Sequence, residues 1–455
     1  MNILQKAQRT IIFLIKAVMY ILLVGTFFLI FSTEYSWIIH LSRTTGVTLV
    51  TFIVLEISLV SIYGGYAIGR LKSKPIITSL SLATIVTDLI THLQLCIMNV
   101  NENNNDHFVY ESPELLVLVI LIQLAIIFLF TYFGQTVYFG INKPERCCVI
   151  TNSEIALNTI MPKITKYKKQ YNVTDMLHFT SPNVYDVMSE CDTVFIYEVP
   201  TKQKVLFTEF CYSNNKNVYT RFEMSDIMIM GGKSIFLDDK PMVSAVIRDL
   251  TFEQRFMKRA MDIAISLFGI ILTGPIMLVA AALIKAEDGG KVFFRQKRAT
   301  RGGELFDVYK FRTMTEIDST NESAKDNDKR ITKVGKYLRM FRIDELPQFF
   351  NILKGDMSVV GPRPEMIENV SKYTAELPEF SYRLKVKGGL TGYAQIVGKY
   401  NTSPKDKLIL DLMYIEKYSL WLDIKLILQT ITVLFKASDS TKGFGDTEKK
   451  YEFTE

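Results

Sequence analysis

Cysteine is used too sparingly and too irregularly in this sequence to organise a fold. The five cysteines, Cys96, Cys147, Cys148, Cys191 and Cys211, make an odd number with no CxxC pair and no cysteine–histidine spacing. That excludes a disulfide framework and a zinc site, suits a reducing setting for the extramembrane parts, and leaves the thiols as inert buried groups. No basic helix and no aromatic–basic motif stands out, so nucleic acid is not an expected partner. The net charge is only +6, a mild excess that fits an anionic membrane surface or phosphorylated substrates.

At 455 residues the chain has room for two or three domains. An apolar fraction of 48% beside 22% charged residues, with a mean hydropathy of +0.16, indicates apolar and charged regions set apart along the chain. Apolar runs occupy residues 10–31, 45–68, 76–100 and 115–139, each near the ~20 residues that cross a hydrocarbon core. The third is interrupted by Asp88, His92 and Gln94, which are expected to face other helices. Lys6 and Arg9, then Arg70, Lys72 and Lys74, then Lys143 and Arg146 flank alternate ends of these runs. The intervening loops hold few cations, and the second carries Glu102, Asp106, Glu111 and Glu114. Positive charge on the inner side then predicts four crossings over residues 1–142, with both ends in the cytoplasm. No small-residue cleavage site follows the first run, so it reads as a retained helix.

From Pro144 the texture changes. Cys147–Ile150, Thr193–Tyr197 and Val218–Tyr219 read as strands, and 153–170 and 204–212 as helices, an alternation that predicts a small parallel α/β unit over 143–248. Glycine is missing where a dinucleotide would need it: the first strand-to-helix turn reads Thr151-Asn152-Ser153-Glu154-Ile155. The expectation is a Rossmann-like domain without nucleotide, serving spacing, dimerisation or regulation.

Residues 256–286 contain a fifth apolar run with Gly274-Pro275 at its middle and Lys258, Arg259, Lys285, Lys291 and Arg295 around its ends. Proline removes a donor and clashes one turn back, and a single crossing would leave one cationic set outside. A re-entrant helix–break–helix hairpin satisfies both observations, with Thr273 able to serve a freed backbone group. A kinked complete crossing is the alternative.

Beyond it, Arg342-Ile343-Asp344-Glu345-Leu346-Pro347-Gln348 follows a run of cations, Lys329, Arg330, Lys333, Lys336 and Arg339. Lys354-Gly355-Asp356-Met357-Ser358 and Gly361-Pro362-Arg363-Pro364 come next. Paired acids bind metal or attack electrophiles, and Arg/Lys clusters hold phosphate. Two prolines around Arg363 reduce the entropy lost when it grips an anion, although a plain surface turn reads the same way. Residues 407–436 mix apolar groups with Asp411, Glu416, Asp423 and Lys425, as amphipathic helices on the inner surface or as ordinary domain packing. Residues 438–455 read as a flexible tail.

These motifs, with Val292–Arg298, Phe306–Met314, Asn351–Ser358 and Leu390–Gln395 in order, resemble the bacterial sugar transferases, the monotopic phosphoglycosyl transferases, over about 250 to 440. The four preceding helices and the α/β domain resemble the family's long form. The resemblance implies an α/β membrane protein in which an α-rich α+β catalytic domain (249–437) with a re-entrant helix follows a four-helix transmembrane bundle. It implies transfer of a sugar-1-phosphate from a UDP-sugar, UDP-glucose or UDP-galactose, to undecaprenyl phosphate in the bacterial inner membrane. That is a first membrane step of exopolysaccharide, capsule or O-antigen synthesis. Asp344 falls on the family's nucleophile, releasing UMP through a phosphosugar-aspartate, and Glu345 completes the dyad. Mg²⁺ accompanies the pair, and Lys310, Arg312, Arg339 and Arg363 fall near the phosphates. Lys387-Gly388-Gly389 and Val397-Gly398-Lys399 depart from the family pattern, which bears on donor choice. A glycosyltransferase releasing UDP, and a non-enzymatic scaffold, are the competing readings.

Overall fold

The computed structural model describes residues 3–40, 42–99, 108–245, 250–315, 330–398, 402–434 and 450–454. Lys329, Lys399, Glu102, Asp106 and residues 438–449 of the expected tail lie outside them. The chain divides into two compact units, Met1–Arg221 with Glu448–Glu455, and Phe222–Thr447. Among the described residues five helices are long and apolar enough to cross a membrane.

In the first unit, α1 (Ile3–Phe31), α2 (Arg43–Tyr63), α3 (Ser73–Met98) and α4 (Pro113–Ile141) correspond to the four apolar runs. Their outward faces are apolar, as lipid requires, and they share a core that includes Phe27, Phe31, Phe52, Leu95 and Val119. Asp88 and His92 are fully buried among these helices, the interior placement expected of polar groups at membrane depth.

A parallel sheet follows, ordered β2-β1-β3-β4, with β1 at Glu145–Thr151, β2 at Tyr171–His178, β3 at Thr193–Tyr197 and β4 at Asn217–Thr220. Helices α5 (Glu154–Ile164), α6 (Val184–Glu190) and α7 (Thr201–Ser213) make the crossovers, the topology expected from the strand–helix alternation. Ser153 caps α5 by accepting from the Ala156 N–H, and Glu154 occupies its first turn. The end of α5 that a phosphate would need is therefore closed by the protein's own groups.

Part of the expected tail is docked. Thr454 N–H donates to the Met176 carbonyl at 2.7 Å, and Met176 N–H donates to Thr454 Oγ1 at 2.7 Å. Tyr451 and Phe453 pack on Val149, Leu157, Met161 and Ile164. Two aromatics in a polar tail supply the burial that holds it.

In the second unit α8 (Met224–Met230) and the hairpin β5 (Lys233–Leu237)–β6 (Lys240–Ser244) come first. The contacts group these residues with the C-terminal part, not with the α/β sheet to which the sequence assigned them. The reason is packing: Ile227 sits in a core with Phe380, Leu408 and Leu412.

Helix α9 runs unbroken from Phe252 to Asp288. The interruption expected at Gly274-Pro275 is not a break in the helix. Pro275 removes one donor only, and Thr273 Oγ1 donates to Gly269 O at 2.7 Å within the same turn, a back-bond that bends helices without ending them. Both ends of α9 are tied to this unit. Near its start, Lys258 Nζ donates to Asp423 at 2.7 Å and to Val360 O at 3.0 Å, and Asp262 accepts from Val359 N–H. Near its finish, Glu287 accepts from Lys333 N–H at 2.8 Å and Asp288 pairs with Arg312.

The rest comprises the antiparallel pair β7 (Phe293–Ala299) and β8 (Leu305–Phe311), then α10 (Lys333–Met340), α11 (Gln348–Lys354), β9 (Ser358–Val360), α12 (Ile367–Glu376), β10 (Gly389–Thr391), α13 (Tyr393–Val397), α14 (Pro404–Glu416) and α15 (Leu420–Leu434). Strands β9 and β10 pair in parallel. Tyr414 on α14 is buried and donates to Asp423 Oδ1 at 2.8 Å, the domain packing read as one alternative for 407–436. Trp421 on α15 is exposed.

Candidate active site

Asp344 and Glu345 lie in a single 3-10 turn, Ile343–Glu345, not on a regular helix; Pro347 stands at the start of α11. Arg342, immediately before the turn, adopts a left-handed backbone with φ 54°. A non-glycine residue in that region costs about 1–3 kcal/mol and is held there by its surroundings. The strain swings the turn so that both carboxylates leave α10 toward β8.

Glu345 is where the expected cations converge. Its Oε1 accepts from Lys310 Nζ at 2.9 Å and from Arg363 Nη2 at 2.7 Å. Arg342 Nη1 stands 3.9 Å from Oε2. Burial alone would push this carboxyl upward, but Arg363 and Lys310 outweigh it and hold Glu345 well below the usual carboxylate range. Its neighbour behaves oppositely. Asp344 is pushed up to about 6, first by burial and then by the charge of Glu345, against Lys310, Arg339 and Arg363. Two adjacent acids are thus driven apart, one a fixed anion and one poised near neutrality, the pattern that separates chemical roles.

Exposure sorts the cations. Glu345 is 13% exposed and Lys310 19%, but Arg363 is 39% exposed, so Arg363 touches the dyad with one nitrogen and keeps a face open. Arg339 acts on Asp344 through charge, while its Nη2 approaches Met314 Sδ at 3.6 Å. Arg312 is not brought to the dyad: it pairs with Asp288 at the end of α9. Gly274 and Pro275 lie within α9.

Further residues hold this arrangement, in roles that sequence reading did not give them. Asn351, fully buried, accepts from Tyr309 N–H at 2.9 Å and donates to Asp307 O at 2.8 Å, fixing the strand that carries Lys310. Arg383 donates to Arg363 O at 2.7 Å and Arg298 to Pro364 O at 3.0 Å, so two guanidiniums grip the backbone of the Gly-Pro-Arg-Pro loop. Arg383 is itself braced by Asp411 at 2.9 Å. Gly361 admits no side chain, since a Cβ there would lie 2.4 Å from Lys387 O. Lys387, expected near donor substrate, donates to Gly355 O at 2.6 Å. Together with Arg259 on Ile352 O and Leu353 O it satisfies the last carbonyls of α11. The sequence signal for these roles is only that Arg298 and Asn351 fall inside the recurring motifs.

Mg²⁺ takes one or two carboxylates and completes its shell with water and substrate phosphate. The dyad fits that demand. Among the described residues Asp344 has no hydrogen bond or ion pair, and no hydrogen bond reaches Glu345 Oε2. No group of three or more His, Cys, Asp or Glu that could hold a metal by itself occurs among them either.

The sequence pattern described as "Bacterial sugar transferase" matches residues 253–437. The chain is 45% identical over 184 residues to the UDP-N-acetylgalactosamine-undecaprenyl-phosphate N-acetylgalactosaminephosphotransferase of Aeromonas hydrophila, covering 39% of this chain and 44% of that protein. It is 44% identical over 181 residues to a UDP-glucose:undecaprenyl-phosphate glucose-1-phosphate transferase of Klebsiella pneumoniae, covering 38% and 39%. A protein of the same description from Caulobacter vibrioides is 38% identical over 190 residues, covering 40% of this chain and 71% of the relative. The alignment thus spans less than half of the first two relatives but most of the third. The family match over residues 253–437 contains the dyad, Lys310, Arg363 and every residue that braces them, and the chain belongs to the bacterial sugar transferase family.

Proposed function

We propose that this protein transfers a sugar-1-phosphate from a UDP-sugar to undecaprenyl phosphate, releasing UMP, with Asp344 as the nucleophile. The observation that carries the reading is the unequal dyad: Glu345 Oε1 is held by Lys310 and Arg363, while among the described residues Asp344 has no hydrogen bond or ion pair. An Asp344 oxygen attacks the phosphorus bearing the sugar, the bridging P–O bond breaks, and the electron pair leaves with UMP. A phosphate oxygen of undecaprenyl phosphate then attacks the same phosphorus and returns the Asp344 carboxylate. An anion approaching a diphosphate is repelled, and Lys310, Arg339 and the open face of Arg363 offset that repulsion. Asp344 and Glu345 would hold Mg²⁺ with the substrate phosphates, where it supplies further charge neutralisation. Arg312, paired with Asp288, holds the end of α9.

Membranes assayed with a panel of UDP-sugars and undecaprenyl phosphate test this directly. One sugar is expected to give UMP and a lipid-linked diphosphate sugar; UDP as the nucleotide product would mean a glycosyltransferase instead. The relatives' names place N-acetylgalactosamine and glucose donors first in that panel.

The same reading makes α9 a re-entrant element that bends at Gly274-Pro275 without ceasing to be helical, and so enters and leaves the cytoplasmic leaflet, behind a four-helix transmembrane bundle with both ends inside. Its support is that Lys258 and Asp262 at one end and Glu287 and Asp288 at the other bind one compact unit. A complete crossing would put one of these ends, with the part of the unit it binds, on the far side of the bilayer. A cysteine at Lys291, which is exposed, is expected to react with impermeant maleimide only from the cytoplasmic side. Labelling from outside would establish a crossing. The α/β domain, closed to nucleotide at α5, is left with spacing or pairing of two copies as a homodimer.

A further inference from the structure

The four N-terminal helices bury more polar oxygen than helix packing requires. On α3, Thr84, Thr87, Asp88 and Thr91 follow the spacing that lines one helix face, and all are buried. Glu56 of α2 is 3% exposed and lies against that face, accepting from Thr84 Oγ1 at 2.9 Å. Asp88 faces Glu56 and the Gln123 amide of α4. Gln123 is itself fixed, since its Nε2 donates to Leu23 O of α1 at 3.0 Å. Among the described residues six oxygens of this group are buried without a well-formed hydrogen bond: both of Asp88, which the Gln123 amide approaches, Oε2 of Glu56, Oγ1 of Thr87, which lies beside Glu56, Oγ1 of Thr91, and Oε1 of Gln123.

The positive groups nearby are committed elsewhere. Lys16 on α1 lies over the Tyr20 ring. His92, one turn beyond Asp88, meets Tyr110 Oη at 3.0 Å and Cys96 Sγ at 3.6 Å. No ion pair to Asp88 or Glu56 occurs among the described residues. Carboxylates at this depth demand a counter-charge, and a donor set made only of oxygen, without imidazole or thiolate, selects a hard cation. Two carboxylates are balanced by one divalent ion, or by one monovalent ion and a proton.

We propose that α2, α3 and α4 hold one hard, oxygen-coordinated cation between Asp88 and Glu56, within the membrane segment. Bound there, it fastens the three helices at their most polar level. The site is separate from the Asp344–Glu345 dyad and does not depend on the reaction assigned to it.

The test uses the full chain with Trp421→Phe in phosphatidylcholine nanodiscs, stripped with chelator, so that Trp37 alone reports unfolding of the helical segment. NaCl and CaCl2 are titrated separately against choline chloride at matched ionic strength. One of them is expected to raise the midpoint saturably, by roughly 3–5 °C. Asp88→Asn and Gln123→Leu each weaken half-saturation by at least ~tenfold, and Asp344→Asn leaves the effect in place. A response to calcium alone means both carboxylates are ionised; a response to sodium alone means one keeps a proton. Binding of ⁴⁵Ca²⁺ or ²²Na⁺ to the Asp344→Asn chain, near one ion per chain, checks the same site should Asp88→Asn fail to fold. No shift beyond choline with either ion and no bound radioisotope, or a shift undiminished in a folded Asp88→Asn protein, overturns the proposal and leaves a polar seam only.

Discussion

Asparagine in place of Asp344 abolishes UMP release, with turnover reduced by more than about four orders of magnitude, and yields a protein more resistant to heat at alkaline pH. The first effect follows from losing the attacking oxygen. The second follows from the direction in which the site perturbs that carboxyl. Its folded-state pKa of about 6 stands above the ordinary value, so the fold disfavours the ionised form. The stability associated with Asp344 is complete below its unfolded pKa and declines as pH rises through about 6. Asparagine cannot ionise and escapes the decline, an advantage of at most about 3 kcal/mol at pH 8 and several degrees in Tm. At pH 4 the two proteins should unfold together. Unfolding followed in chelator from pH 4 to 8, beside a UMP assay, reads both effects, and retained turnover would remove Asp344 from the nucleophile role. A catalytic group that costs stability is a familiar consequence of preorganisation.

Arg363→Ala lowers kcat/KM by about three orders of magnitude and moves its acid limb to higher pH. Arg363 is one of the cations that hold Asp344 down, so without it the nucleophile takes up its proton at a higher pH. Alanine also strips Glu345 of a 2.7 Å partner, leaving Lys310 to hold that carboxylate. Arg363→Lys restores charge without the planar fork, so it should recover the position of the acid limb better than the rate. Parallel pH profiles of the three proteins measure this. An acid limb unmoved in Arg363→Ala would mean that Arg363 does not act on Asp344.

The motifs made the site legible because they recur as short blocks, and Lys310, Arg363 and the dyad could be named from them. Their pairing could not. Lys310 lies 35 residues and Arg363 18 residues from Glu345 in the chain, and only the turn after α10 and the return of β9 bring the three together. Arg312 shows the opposite error. It belongs to the same block as Lys310 but lies just past the end of β8, where it pairs with Asp288 at the end of α9. The apolar runs predicted α1 to α4 almost to their ends, since length and hydropathy act locally. Strand β2 went unread: Tyr171–His178 mixes polar and apolar residues without a clean alternation, and its place beside β1 is set by pairing. The Gly274-Pro275 pair was read as a break because proline rules are local, whereas one missing hydrogen bond in a 37-residue helix is absorbed by its neighbours.

The docked C-terminus bears on where this chain can safely be shortened. Strand β2 is the sheet's edge, and Thr454 occupies its outward hydrogen-bonding groups at Met176 while Tyr451 and Phe453 cover the apolar surface beside it. Ending the polypeptide at residue 437, where the family match stops, would keep every active-site residue yet bare both. An uncovered edge next to exposed Val149, Leu157 and Met161 invites strand pairing between molecules. The expected failure of such a truncated protein is therefore aggregation through the α/β domain, with the catalytic unit itself intact.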